Sequence, residues 1–88
     1  MVWELHLPAC QSLKDKRTIV KSLKDRMHNR FNVSVAETGH HDLWQRAELT
    51  AAVVSTDRRH AESVLREADQ LVAGADGARI VDTSTSYL

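Results

Sequence analysis

The sequence predicts a single α+β domain with elements in the order β-α-β-β-α-β, and two observations carry that prediction. The hydrophobic period switches between two and 3.6 residues and back along the chain. The period-two runs gather their large apolar residues on one side and most of their polar residues on the other, which fits a sheet covered on one face. With right-handed crossovers, this order builds a four-stranded antiparallel sheet with both helices on the same side, the ferredoxin-like arrangement.

The first run, Val2 to Leu7, sets Trp3, Leu5 and Leu7 against Val2, Glu4 and His6, and Pro8 ends the ladder because it has no N–H to donate. From Ser12 the period lengthens. Leu13, Ile19, Val20, Leu23 and Met27 fall within roughly 120° of arc at about 100° per residue, an amphipathic helix ending near Arg30. FNVSVAETG returns to period two, with Phe31, Val33 and Val35 on one side. A loop, HHDLWQR, leads to a run in which Ala47, Leu49, Ala51 and Val53 oppose Glu48, Thr50, Ala52 and Val54, so the two strands form a hairpin. Thr56 or Asp57 caps a second helix whose apolar positions, Ala61, Val64, Leu65, Ala68, Leu71 and Val72, keep helical spacing to Ala73. Gly74 and Gly77 bracket its exit, and ARIVDTSTSYL has the β-branched content of a last strand.

Eighty-eight residues make one domain, 1–88. A domain of this size buries only about 60% of the surface its unfolded chain exposes, which leaves ample area for partners. The formal net charge is zero, but its distribution is uneven. Lys14, Lys16, Arg17, Lys21, Lys24, Arg26 and Arg30 are opposed in their segment only by Asp15 and Asp25, whereas from Phe31 onward five arginines meet nine acids. The molecule is neutral and polarised. A single Cys10 excludes an internal disulfide and fits a reducing compartment. MVWELHLPAC has neither a positive lead nor a long apolar run, so the expectation is a cytoplasmic protein with no membrane partner.

The tetrad Ser-Leu-Lys-Asp occurs at Ser12 to Asp15 and again at Ser22 to Asp25. In the first copy Ser12 precedes the helical pattern and Asp15 stands where a capping box places its acid; in the second, Ser22 lies in the helix interior. Ten residues rotate a helix by about −80° net, so Leu13 and Leu23 both fall on the broad buried face. The repetition follows from helical periodicity and is no internal repeat.

On the same wheel Lys14, Arg17, Lys21, Lys24 and His28 share an arc of roughly 80° beside the apolar face. Such a stripe suits phosphates along a nucleic-acid backbone; it is equally what a solvated helix face looks like, with lysine stems lying over the core edge. No Phe or Tyr interleaves with it, so a base-stacking platform is not expected. Lys16 is exceptional, since it projects toward the apolar arc, either to snorkel or to be held in a contact. In the hairpin loop, His40, His41 and Asp42 lack the spacing of a metal site, and adjacent histidines on an extended loop diverge, so no metal or cofactor is expected. Trp44 is expected to fold back on the sheet edge. Cys10 lacks an assignable basic partner, and no phosphate loop, nucleophile elbow or forced carboxylate pair is present; no enzymatic activity is expected.

Across SLKDKRTIVKSLKDRMHNRFNVSVAETG and DLWQRAELTAAVVSTD, the chain resembles the YlxP-like family, small bacterial proteins classed as a domain of unknown function. The resemblance is densest from residue 1 to residue 57 and continues less distinctively to the end. It implies a ferredoxin-like fold and an accessory role in small-subunit maturation, with ribosomal RNA or a ribosomal protein as partner, and it carries no catalytic residues. The matched motifs offer Lys14, Lys16, Arg17, Lys21, Lys24, Arg30, Asn32, Glu37, Asp42, Trp44, Gln45 and Arg46 to a site, whereas His40 and His41 fall in the variable part of the loop.

Residues and resemblance together point to a non-enzymatic binding module for ribosomal RNA or the small subunit. Its expected contacts are Lys14, Arg17, Lys21, Lys24 and Arg30 of the first helix, with Trp44 and Arg46 of the loop. The alternative is a homodimerisation or protein-interaction module without RNA affinity, acting through sheet-face residues such as Glu4, His6, Glu48 and Thr50. A small hydrolase is the remaining reading and requires a pocket lined by His6, Cys10 or His40.

Overall fold

The computed structural model describes all 88 residues. It has β1 (Val2–His6), α1 (Leu13–Arg30), β2 (Ser34–Gly39), β3 (Arg46–Ala52), α2 (Arg58–Ala73) and β4 (Arg79–Ser84). The strands form one antiparallel sheet in the order β2-β3-β1-β4, the ferredoxin-like topology. The register Trp3↔Leu49 and Leu5↔Ala47 stacks the inward residues of the two central strands. Val20, Leu23 and Met27 of α1 join them with Ala68, Leu71 and Val72 of α2 in one continuous core.

Four expected boundaries shift: β3 ends at Ala52, short of Val53 and the exposed Val54, β4 ends at Ser84, and the other two concern Phe31 and Leu7. Phe31 belongs to the exit of α1: its N–H bonds the Met27 carbonyl, and pairing with β3 starts only at Ser34. Phe31 and Val33 are nevertheless packed against the core beside Val35, because extended backbone alternates its side chains before it finds a partner strand. β1 ends at His6, although the Leu7 N–H still bonds the Gln45 carbonyl at 3.0 Å.

At the start of α1, Ser12 Oγ accepts the Asp15 N–H at 3.0 Å, as the first tetrad requires. The Asp15 carboxylate reaches one residue further back than in a capping box and accepts from the Gln11 N–H, also at 3.0 Å. Ser22 is exposed in the helix interior, and Leu23 is buried. Leu13 departs from the expectation: as the first helical residue it sits at the rim, half-buried and outside the core cluster.

Candidate functional site

α1 is 18 residues long, about 27 Å at 1.5 Å per residue, and its packing on the sheet makes it a rigid carrier for its outer flank. Lys14, Arg17 and Lys21 are exposed and Lys24 is half-buried. Arg17, Lys21, Lys24 and His28 line a shallow groove of about 350 Å³ whose far wall includes Glu37 of β2. Since β2 is an edge strand, the basic flank runs along an open border of the sheet.

Lys21 is the one member of the stripe with a partner on the helix: its Nζ lies 2.8 Å from Asp25 Oδ2, both largely exposed. The hydrogen bond to Asp25, more than the charge itself, raises the Lys21 pKa, so the ammonium stays charged at neutral pH. A surface pair of this kind contributes little and is easily exchanged for another anion. Arg30 closes the helix with its guanidinium 5.1 Å above the Phe31 ring.

The loop residues do not join this stripe in one way. Trp44 is displayed: it is 52% exposed beside Leu43 at 49%, which corrects the expectation that it folds back. The chain around it is pinned by other groups, with Gln45 Nε2 donating to the Cys10 carbonyl at 3.1 Å and the Leu43 N–H to the His40 carbonyl at 3.0 Å. Arg46 lies on the sheet face opposite the helices, in register with His6, and its Nη2 is 3.2 Å from Glu4 Oε2. It is therefore separated by the sheet from the α1 cations.

A second cluster links the two faces. Lys16, 1% exposed, does not snorkel; its ammonium is 2.8 Å from Glu37 Oε2 and donates to the His40 carbonyl. Glu37 points to the helix side because its register partner is the buried Leu49. An irregularity between Glu37 and Gly39 then turns the chain, and His40 adopts φ 59°, so its ring emerges on the open face with Nε2 2.8 Å from Glu4 Oε2. The His41 ring takes a different direction, to the Glu37 carbonyl at 3.2 Å. Burial works against ionisation of Glu4, but its hydrogen bonds with His40, Glu48 and Arg46, and then the His40 charge, outweigh it and hold its pKa below the ordinary glutamate value.

That depression has a sign. A carboxylate whose folded pKa is lowered contributes stability above its unfolded pKa, and the contribution fades as pH falls through the folded value. Urea melts from pH 7 down into the acid range should show a shallower loss for Glu4→Gln than for the wild type. Parallel pH profiles would exclude Glu4 as a source of acid sensitivity.

Cys10 is 1% exposed, and burial, followed by the nearby Asp15, pushes its thiol pKa up against the opposing pull of Lys16. A protonated thiol is a poor nucleophile at neutral pH. A concavity of about 750 Å³ lies where Val2, Val54, Leu65 and Tyr87 meet; neither it nor the groove beside α1 is lined by His6, Cys10 or His40. No helix is long and apolar enough to cross a membrane.

Residues 1–85 match the family described as "Protein of unknown function (DUF503)", and the chain belongs to that family. It is also similar to the "Uncharacterized protein YlxP" of Bacillus subtilis (strain 168), at 44% identity over 55 residues. That alignment covers 62% of this chain and spans 60% of the length of the Bacillus protein.

Proposed function

We propose that this member of a family of unknown function is a non-enzymatic, cytoplasmic accessory factor that binds structured ribosomal RNA, in the context of small-subunit maturation, through the outer flank of α1. The observation that carries the reading is the set Lys14, Arg17, Lys21 and Lys24 on one flank of a rigid helix, with Asp25 as the single acid paired to it. Arg30, exposed over the Phe31 ring, lies about 180° around the helix from Lys21 and serves this reading only as a contact at the helix end, while Trp44 supplies one exposed aromatic on the loop that Lys16 holds. Arg46 serves this reading less directly, since it faces the other way and is engaged by Glu4. The open sheet face mixes Glu4, Glu48 and Asp82 with Arg46, His6 and Arg79 and bears no Phe, Tyr or Trp on its strands, so it offers phosphates less uniform positive charge than the helix flank does. Contacts of this type position a backbone and do not read sequence.

The test is a binding titration with a structured ribosomal RNA fragment at increasing salt. Four neutralised phosphates correspond to a log–log slope of about −3 to −4, so affinity should fall on the order of a hundredfold between about 50 and 200 mM salt. Lys21→Glu with Lys24→Glu should weaken binding at least tenfold at low salt and flatten the slope by about two. RNA binding that is unchanged in the double variant, or absent from the wild type at low salt, defeats the reading.

A further inference from the structure

The strand register distributes the open face of the sheet into rows of charge. Glu48, Glu4 and Asp82 lie side by side across β3, β1 and β4, because Glu4 is paired with Glu48 on one side and with Asp82 on the other. The next outward row is Arg46, His6 and Arg79, for the same reason. On β1 and β3 the outward rows are spaced two residues apart, about 7 Å along the strands, whereas on β4 an irregularity at Val81 sets Asp82 and Arg79 three residues apart while both keep their partners on β1. One row is acidic, and its neighbour carries two arginines and a histidine.

Within one chain these rows are only partly neutralised. Glu4 meets His40 and Arg46, and Glu48 takes the Thr38 hydroxyl at 2.7 Å. Asp82 bonds only the adjacent Thr83 N–H, and neither Asp82 nor Arg79 has an ion-pair partner, although both are exposed. Asp82 moreover stands beside Glu4, a like charge. The β4 end of the two rows thus presents one unpaired acid and one unpaired base.

We propose that this face binds a second copy of the same chain, as a weak two-fold dimer with the sheets stacked face to face. A two-fold axis that crosses the strands between the two rows exchanges the rows while keeping each strand over its own counterpart. It places Asp82 over the partner's Arg79, Glu4 over the partner's His6 and Glu48 over the partner's Arg46, each contact occurring twice. An axis along the strands instead sets acid over acid. The acidic row argues against a nucleic-acid occupant, and a different protein would need its own matching rows, whereas a second copy supplies them by symmetry.

The chemistry also sets the strength. Val2, Ala36 and Ala52 are the apolar residues of the regular rows, and Val81, 56% exposed at the β4 irregularity, is the one larger apolar side chain beside them, so little apolar area is buried and charge supplies registry more than affinity. A dissociation constant between about 1 µM and 1 mM is the expected range. Because α1 lies across the sheet from this face, the dimer is independent of the RNA reading, and either can fail without the other.

Analytical ultracentrifugation of the full chain from about 10 µM to 1 mM tests it. The wild type should gain mass with concentration and lose it with added salt. Arg79→Asp and Asp82→Arg should each abolish association, since each sets like charges opposite one another twice. An equimolar mixture of the two variants should dimerise again, and so should the chain carrying both substitutions, because both pairs then regain opposite signs. A wild type that stays monomeric at about 1 mM, single variants that associate like the wild type, or a mixture that remains monomeric each overturns the proposal. The restoring mixture contains the same substitutions as the failing singles, so misfolding is told apart from repulsion.

Discussion

Truncation of Trp3 to alanine is expected to cost about 3–5 kcal/mol of stability. Trp3 is fully buried in β1, one of the two central strands, and stacks in register with Leu49. Its indole Nε1 donates to Asp69 Oδ1 of α2 at 2.9 Å, so one side chain fills the core and ties the sheet to the second helix. Alanine leaves a void among large neighbours that a packed interior closes only in part, and it removes the Asp69 donor as well. Small domains hold about 5–15 kcal/mol in total, so the variant keeps little margin. At about 4–8 °C per kcal/mol for a domain of this size, its thermal midpoint should drop by about 12 °C or more. Trp3→Phe separates the two contributions: it retains most of the packing and loses the hydrogen bond to a half-exposed carboxylate, for about 1–2 kcal/mol. A Trp3→Ala loss below about 1 kcal/mol would contradict the core described above.

How much of this molecule was legible depends on whether a feature is local. The six elements and their faces follow from changes of hydrophobic period, which act over single elements and need no knowledge of partners. The start of α1 was legible for the same reason, since a serine cap and its acid lie within one turn. The boundary at Phe31 was not, because extended but unpaired backbone has the alternation of a strand without being one. The basic flank of α1 could be placed by helix geometry alone. The cluster that joins Glu4, Lys16, Glu37, His40 and Arg46 could not, since these residues meet only through strand register and the irregularity after Glu37. A signal was nevertheless present. Lys16 interrupts the apolar arc of its helix and Glu37 interrupts the apolar face of Val33 and Val35, so opposite charges break the inward pattern of two elements that must pack together. Trp44 misled because loop aromatics are read as seeking cover, whereas here hydrogen bonds made by its neighbours fix the loop with the ring outside.

The Lys16–Glu37 pair yields the second large prediction, an asymmetry between its two halves. Lys16→Met leaves a carboxylate whose Oε2 is buried but whose side chain is 19% exposed and borders the groove of Arg17, Lys24 and His28, so Glu37 is resolvated only in part and the loss should be about 1–3 kcal/mol. Glu37→Met instead strands an ammonium that is 2% exposed, with the His40 carbonyl as its remaining partner, and should cost about 3–5 kcal/mol. The double variant removes both charges and replaces them by flexible apolar chains of similar length. The His40 carbonyl keeps the Leu43 N–H, so no buried acceptor is orphaned, and the double variant should match the wild type or exceed it by about 1–4 kcal/mol. Urea denaturation of the four proteins closes the cycle, with a coupling term well above the few tenths expected of independent sites. If Glu37→Met proves milder than Lys16→Met, or the double variant is no better than the sum of the singles, then the ammonium is not confined by Glu37. Specificity is read from the same four proteins. Lys16 also holds the loop that displays Trp44, so the double variant should recover stability while its Trp44 fluorescence shows a looser loop. The pair is thus expected to fix where the loop sits more than to stabilise the fold.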